Sequence, residues 1–202
     1  MTTLLAIIRH GKTTWNLEGK LQGRANIPLS SAGINELSKL SIPLFLKTAT
    51  WITSPLKRAM ETAESLNLKD VSIESRLVEM DWGEWEGKTL KKLRETLGTK
   101  IKEEEDRGLD LSPPGGESPR QVQERIKPLL KEISQIKSSD IVGAVSHKGV
   151  MRSLLSLATG WDMLGAPPVK LDWAAIQIFS VDNQGTPQPY QYNVPLEKGD
   201  YG

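Results

Sequence analysis

Leu4-Leu5-Ala6-Ile7-Ile8 is an unbroken apolar run, the pattern of a strand covered on both faces in a parallel sheet. A similar run, Asp140-Ile141-Val142-Gly143-Ala144-Val145-Ser146, lies far downstream, and Thr50-Trp51-Ile52-Thr53 is a weaker third. Between these runs apolar residues recur at helical spacing. Ile34, Leu37, Leu40 and Leu44 predict a helix within 31–47, behind the capping pair Ser30-Ser31. Ser54-Pro55 reads as an N-cap followed by proline at the first helical position, opening a helix toward Leu66. Ser118-Pro119 repeats that signal ahead of Val122, Ile126, Leu129, Leu130, Ile133 and Ile136, and Pro128 is expected to kink or split the helix they mark. Val150 to Thr159 reads as a further helix ended by Gly160, and Ala174 to Val181 as a late strand. The tail from Asp182, with Gly185, Pro187, Pro189, Pro195 and Gly199, reads as extended or loop-like. Alternating strands and helices predict an α/β layer fold with a mainly parallel sheet.

Residues 84–117 interrupt this rhythm. Lys88, Lys91, Lys92, Arg94, Lys100 and Lys102 lead into Glu103-Glu104-Glu105-Asp106 and then Pro113-Pro114-Gly115-Gly116. Two readings fit: a solvated, charge-patterned helix followed by a loop, or a lid over a site.

Composition narrows the function classes. The 202 residues suit one domain with a core that needs no disulfide or structural metal. With 26 basic and 25 acidic side chains, a formal charge of +1 gives no broad footprint for nucleic acid or an anionic membrane. The absence of cysteine excludes disulfides, thiol catalysis, iron–sulfur clusters and cysteine zinc sites, and two histidines are too few for a histidine-rich metal centre. The N-terminus lacks a basic region and a long apolar stretch, and no apolar run has membrane-spanning length, so a cytoplasmic location is expected.

In an open parallel sheet, ligands bind beyond the carboxyl ends of the strands, so the residues after each run matter most. Leu4–Ile8 leads into Arg9-His10-Gly11-Lys12-Thr13, the second run into His147-Lys148-Gly149, and Thr50–Thr53 into Ser54-Pro55-Leu56-Lys57-Arg58. Were these strands neighbours, Arg9, Arg58, His10 and His147 would converge. Guanidiniums bind phosphoryl oxygens bidentately and keep their charge, and an imidazole among them can attack phosphorus. The acid such a transfer needs is available in Glu79-Met80-Asp81-Trp82-Gly83-Glu84-Trp85-Glu86-Gly87.

The ordered set Arg9-His10-Gly11-x-Thr13-x-Trp15-Asn16, Leu21-Gln22-Gly23, Pro28-Leu29-Ser30-x-x-Gly33, Ser54-Pro55-Leu56-x-Arg58-Ala59-x-x-Thr62-Ala63, Leu77-x-Glu79-x-x-x-Gly83-x-Trp85-Glu86-Gly87, Gly115-Gly116-Glu117-Ser118 and Val145-Ser146-His147 resembles the histidine phosphatase superfamily, in its phosphoglycerate-mutase-like branch. The resemblance spans residues 4–160. It implies a three-layer α/β/α fold with a mainly parallel central sheet, one histidine phosphatase domain over 1–202, and 84–117 as a lid or insertion. It implies a metal-independent phosphomonoesterase with His10 as nucleophile and Arg9, Arg58 and His147 as the cationic cradle, aided by Asn16. Glu79 takes the place of the proton donor, and Gln22 and Gly23 match a segment that contacts phosphate or substrate. No metal or organic cofactor is implied. The expected partner is a small-molecule phosphate ester, with a homodimer left open and neither nucleic acid nor membrane expected.

Other readings compete at each position. Either histidine alone fits a structural role, Arg58 could pair with Glu61 or Glu64, Glu84 and Glu86 read as surface or turn carboxylates, and Trp82 and Trp85 as packing residues. Gly115-Gly116-Glu117-Ser118 reads first as a loop ending in a helix cap. Lys12 and Lys148 depart from the family pattern: they either favour a polyanionic substrate or point to solvent. Two alternative functions remain. A phosphoglycerate mutase would return the phosphoryl group to bound product, although 84–117 is short for one, and a non-catalytic phospho-ligand-binding protein would turn nothing over.

Overall fold

The computed structural model describes residues 2–136 and 141–199. Asp140, the first residue of the second apolar run, lies outside them. The strands are β1 (Thr3–Arg9), β2 (Leu40–Ser41), β3 (Thr50–Thr53), β4 (Ser72–Ile73), β5 (Ile141–Ser146), β6 (Ile176–Val181), β7 (Pro187–Val194) and β8 (Glu197–Lys198). The α-helices are α1 (Thr14–Leu17), α2 (Ser31–Leu37), α3 (Lys57–Ser65), α4 (Leu90–Leu97), α5 (Thr99–Glu105), α6 (Pro119–Ile133) and α7 (Lys148–Thr159). Six strands form one sheet in the order β4-β3-β5-β1-β6-β7. The four strands from β4 to β1 are parallel, and β6 and β7 complete the sheet by antiparallel pairing.

Both faces of the sheet are covered, which explains the continuous apolar runs. Leu5, Ile7, Val142 and Ala144 face Ile126, Leu130, Met151 and Leu154 of α6 and α7. Ala6, Ile8 and Val145 face Leu37 of α2 and Ala59 and Ala63 of α3 on the other side. The architecture is the expected three-layer α/β/α arrangement around a mainly parallel sheet.

Four local expectations are revised. The helix proposed over 31–47 ends at Leu37, and Leu44 is 72% exposed in a separate 3-10 turn. Pro43 blocks the helix and drives the preceding residue out of the α region, so the spacing of Leu40 and Leu44 is fortuitous. Pro128, by contrast, neither ends nor divides α6. It and Glu124 are exposed, so water can serve the carbonyl that proline leaves unbonded. The tail forms an ordered edge strand: the Asp182 carboxylate accepts hydrogen bonds from Gln184 and Thr186 amides, Gly185 takes φ 85°, and the chain returns as β7. Its prolines are tolerated because an edge strand has amides that need no partner. Finally, α3 begins at Lys57 without a side-chain cap from Ser54; Asn26 Oδ1 accepts from the Lys57 amide at 2.8 Å instead.

Segment 84–117 carries two charge-patterned helices, α4 and α5, separated at Gly98, where one was expected, and then the expected loop over 111–117. Leu93 and Ile101 pack with Trp85 in a small core of their own, with Leu21, Trp82, Leu97 and Leu111 around it.

One backbone contact in the sheet is close enough to test. Gly143 of β5 pairs with Trp51 of β3, and a Cβ at Gly143 would meet the indole at 2.5 Å. Trp51 is buried, so Gly143→Val should cost about 1–3 kcal/mol by overpacking. A fall in the urea midpoint that Trp51→Leu partly restores is the expected result.

Candidate active site

The carboxyl ends of three adjacent strands build the site. Arg9 is opposite Ser146 in the β1–β5 register and Thr53 is opposite Val145 in β3–β5, so His10, His147 and Ser54 emerge side by side. Backbone bonds continue the alignment one residue further: the His10 amide donates to Ser146 O at 2.9 Å and the Ser54 amide to Val145 O at 3.0 Å. The rings of His10 and His147 lie 5.1 Å apart between centroids.

Hydrogen bonds decide the tautomers. His10 Nδ1 is 2.7 Å from the Gly11 carbonyl oxygen. A carbonyl only accepts, so Nδ1 carries the proton and Nε2 keeps its lone pair. The Gly11 amide donates to Thr62 Oγ1 at 2.9 Å, and that hydroxyl donates to Arg58 O, fastening the loop after β1 onto α3. In His147, Nδ1 accepts from Arg58 Nε at 3.3 Å, so Nε2–H donates to Ser54 Oγ at 2.7 Å. Both imidazoles have pKa values well below the ordinary histidine value. Burial is the main cause for each. The fields of Arg9 and Arg58 add to it at His10, and those of His10, Arg58, Arg9 and Arg125 at His147.

Arg58 is fully buried on α3, yet no carboxylate neutralises it within 4.0 Å among the described residues. Its guanidinium donates to Gly23 O at 2.7 Å, Ala25 O at 2.8 Å and His147 Nδ1, all neutral acceptors. Burial pulls its pKa down to about 10, against the opposing fields of Glu79 and Glu86. The competing reading, a pair with Glu61 or Glu64, does not occur: Arg58 has no ion pair among the described residues, and Glu61 accepts from the Leu29 amide at 2.7 Å. Arg9 is similar: its Nε is buried without a hydrogen-bond partner, and burial lowers its pKa while Glu79 raises it. Buried cations bonded only to neutral groups are costly unless an anion completes them.

Glu79 is buried across the site from Arg9. Its Oε1 accepts from the Met80 amide at 2.8 Å and its Oε2 from the Gly149 amide at 3.2 Å, at the start of α7. A Cβ at Gly149 would lie 2.4 Å from Glu79 Oε1, so this approach requires glycine.

The remaining expected residues divide. Gly23 takes φ 52° and serves through its carbonyl, while Gln22 is buried with Oε1 unpartnered. Asn16 Oδ1 accepts from the Thr13 amide in the capping box of α1, leaving the amide end of the side chain as a donor. Lys12 forms an exposed ion pair with Glu36 at 2.7 Å, the solvent reading. Trp82 and Trp85 stack at 6.2 Å as packing residues.

Three contributors were missed. Ser54, read as a cap, orients His147. Glu86, read as a surface carboxylate, accepts from the Arg24 and Ala25 amides and so holds the loop that binds Arg58. Glu117 accepts from Arg125 Nε at 2.8 Å, and Arg125 donates to Val78 O at 2.7 Å, bracing the chain just before Glu79. All three stand inside the ordered motifs, Ser54 ahead of Arg58, Glu86 after Glu79 and Glu117 ahead of Ser118, and that placement was their signal. Among the described residues, no cluster of three or more histidine, aspartate or glutamate side chains is placed to hold a metal, and no helix is long and apolar enough to cross a membrane.

The model of the histidine phosphatase superfamily (branch 1) matches residues 5–193. Phosphoserine phosphatase 1 of Hydrogenobacter thermophilus is 30% identical over 164 residues, 79% of this chain and 77% of that protein. A 2,3-bisphosphoglycerate-dependent phosphoglycerate mutase of Parvibaculum lavamentivorans is 29% identical over 166 residues, 77% of this chain and 79% of its own. Among solved structures, phosphoserine phosphatase of Entamoeba histolytica in complex with 3-phosphoglyceric acid superposes with a TM-score of 0.80 at 25% identity, covering 95% of this chain and 96% of that one. The chain therefore belongs to the histidine phosphatase superfamily, branch 1.

Proposed function

We propose that the chain hydrolyses phosphate monoesters of small metabolites through a phosphohistidine at His10. The observation that carries this reading is a neutral imidazole with a free Nε2 beside two guanidiniums that lack a counterion, Arg58 fully buried and Arg9 half-buried with its Nε unpartnered. The phosphoryl group supplies the missing negative charge, bound by Arg9 and Arg58, with the Asn16 amide and the Gln22–Gly23 segment at its edge. His147 joins through Arg58 and through its Nε2–H, which can pass from Ser54 Oγ to a phosphoryl oxygen. A single domain over 1–202, with 84–117 as lid and outer wall, is part of this proposal.

In the first step the Nε2 lone pair forms the nitrogen–phosphorus bond as the phosphorus–oxygen bond to the alcohol breaks. Glu79 gives its proton to the departing oxygen. Each of its oxygens accepts only one amide bond, so a lone pair remains to carry that proton. In the second step the Glu79 carboxylate takes a proton from the attacking water, the nitrogen–phosphorus bond breaks, and phosphate leaves. The cationic cradle stabilises the charge that spreads over the phosphoryl oxygens in both steps. Transfer to a second alcohol is the competing fate, since one relative is a phosphoglycerate mutase; water is favoured by the relatives and structural neighbours that are phosphatases.

Two results are expected. Glu79→Gln should lower kcat/KM for an alkyl phosphate about 10²–10⁴-fold, the range for a lost general acid, and for a nitrophenyl ester far less. An equal loss on both would assign the proton to another group. Because the chain has only two histidines, proton NMR can follow each imidazole. Both should remain neutral through the ordinary histidine midpoint near pH 6.5. An unfolded chain binds protons below that midpoint where the folded one does not. The stability the pair contributes is therefore present above about pH 6.5 and declines as pH falls below it. A midpoint at or above 6.5 for either ring would contradict the burial described.

A further inference from the structure

The cations near the site differ in what neutralises them. Lys12 has Glu36. Among the described residues, no carboxylate lies within 4.0 Å of Arg9, Lys148 or Arg152. The field of Glu79 reaches Arg9, Arg58 and Lys148, so one carboxylate is shared among three cations.

Their placement forms a track. Ser146 pairs with Arg9, so Lys148, two residues on and the first residue of α7, stands beside Arg9. Arg152 follows one turn later on the same face of α7. Each of the two rests on an indole: Lys148 Nζ lies 5.1 Å from the Trp173 ring centroid, and the Arg152 guanidinium 4.7 Å from that of Trp161. Such stacking holds a cation in place without consuming its hydrogen-bond donors or its charge. Burial lowers the pKa of Arg152, and partial desolvation with the added fields of Arg9 and Arg152 lowers that of Lys148, whose side chain stays open to solvent, as expected for cations gathered without counterions.

The track also has a direction. The Gly149 amide bonds to Glu79, so the start of α7 abuts the proposed proton donor, on the side where the alcohol departs. We propose that Lys148, seated on Trp173 and backed by Arg152, receives a second anionic group, a carboxylate or a second phosphate, carried by the alcohol portion of the substrate. This rests on the hydrolase reading and names the class of its substrate: monoesters of anionic alcohols. Arg9 and Arg58 then bind the transferred phosphoryl group, and Lys148 sets which leaving group is accepted.

The test compares glycerol 3-phosphate, whose alcohol is uncharged, with phosphoglycolate and propane-1,3-diol bisphosphate. The wild type should favour one or both anionic esters in kcat/KM by about tenfold or more, the size of one charge-assisted contact. Lys148→Ala should abolish that preference, Lys148→Arg should keep most of it, and Lys12→Ala should leave it unchanged. The ester whose preference collapses identifies the group as carboxylate or phosphate. A turnover-independent arm measures binding of methylphosphonate, phosphonoacetate and methylenebisphosphonate by calorimetry, with the same pattern expected. No preference in the wild type, or a preference that survives Lys148→Ala, overturns the proposal. Absence of turnover on every ester together with a Lys148-dependent preference among the phosphonates would instead overturn the hydrolase reading and leave the second-anion site standing.

Discussion

A fully buried guanidinium with no carboxylate beside it organises this molecule. Arg58 reaches from α3 to the Gly23 and Ala25 carbonyls and to His147 Nδ1, so one side chain ties the loop after α1, the helix after β3 and the residue after β5 into a single wall. It also dictates the His147 tautomer and helps to keep both imidazoles neutral. Keeping such a charge out of water without a counterion is costly, and that cost is recovered when an oxyanion binds. The proposed affinity for a phosphoryl group and the arrangement of the loops thus have the same origin.

The second constraint is the pairing of the unbonded His10 Nε2, the proposed nucleophile, with a fixed Glu79, the proposed acid. Gly11 O holds the His10 proton on Nδ1, and Thr62 holds Gly11, so the lone pair on Nε2 does not depend on substrate to expose it. Glu79 is fixed from the other side by the amides of Met80 and Gly149. Both are set on backbone groups at strand and helix ends rather than on mobile side chains, which is how preorganised sites achieve their geometry. Lys148 and Arg152 lie outside this pair, which leaves Lys148 for the proposed contact with the alcohol portion of the substrate.

Much of this was legible along the chain, for physical reasons. Leu4–Ile8 and Ile141–Ser146 are buried on both faces, so their apolar patterns marked them as inner strands, and whatever followed them had to sit at the sheet's carboxyl edge. That put Arg9, His10 and His147 at the ends of their strands, and the β1–β5 pairing makes them neighbours. Local signals failed where a distant partner won. Ser54 before proline has the pattern of a helix cap, but its hydroxyl bonds a histidine 93 residues away, and Asn26 supplies the capping oxygen. Ile34, Leu37, Leu40 and Leu44 kept helical spacing across Pro43, whose ring forbids the helix that spacing described. The proline-rich tail was readable as extended but not as a strand, because only the edge position makes Pro187 and Pro189 tolerable. Lys12 and Lys148 were indistinguishable in sequence; Glu36, far along the chain, separates them.

The most direct measurement is the position of the phosphorus–nitrogen bond. Enzyme quenched in alkali during turnover, digested and examined by nitrogen-15 and phosphorus-31 NMR should carry phosphate on Nε2 of His10 and on no other residue, since Nδ1 is committed to Gly11. Phosphate on Nδ1 of His10, on His147, or on neither histidine under conditions of active turnover would contradict the tautomer and with it the proposed course of the reaction.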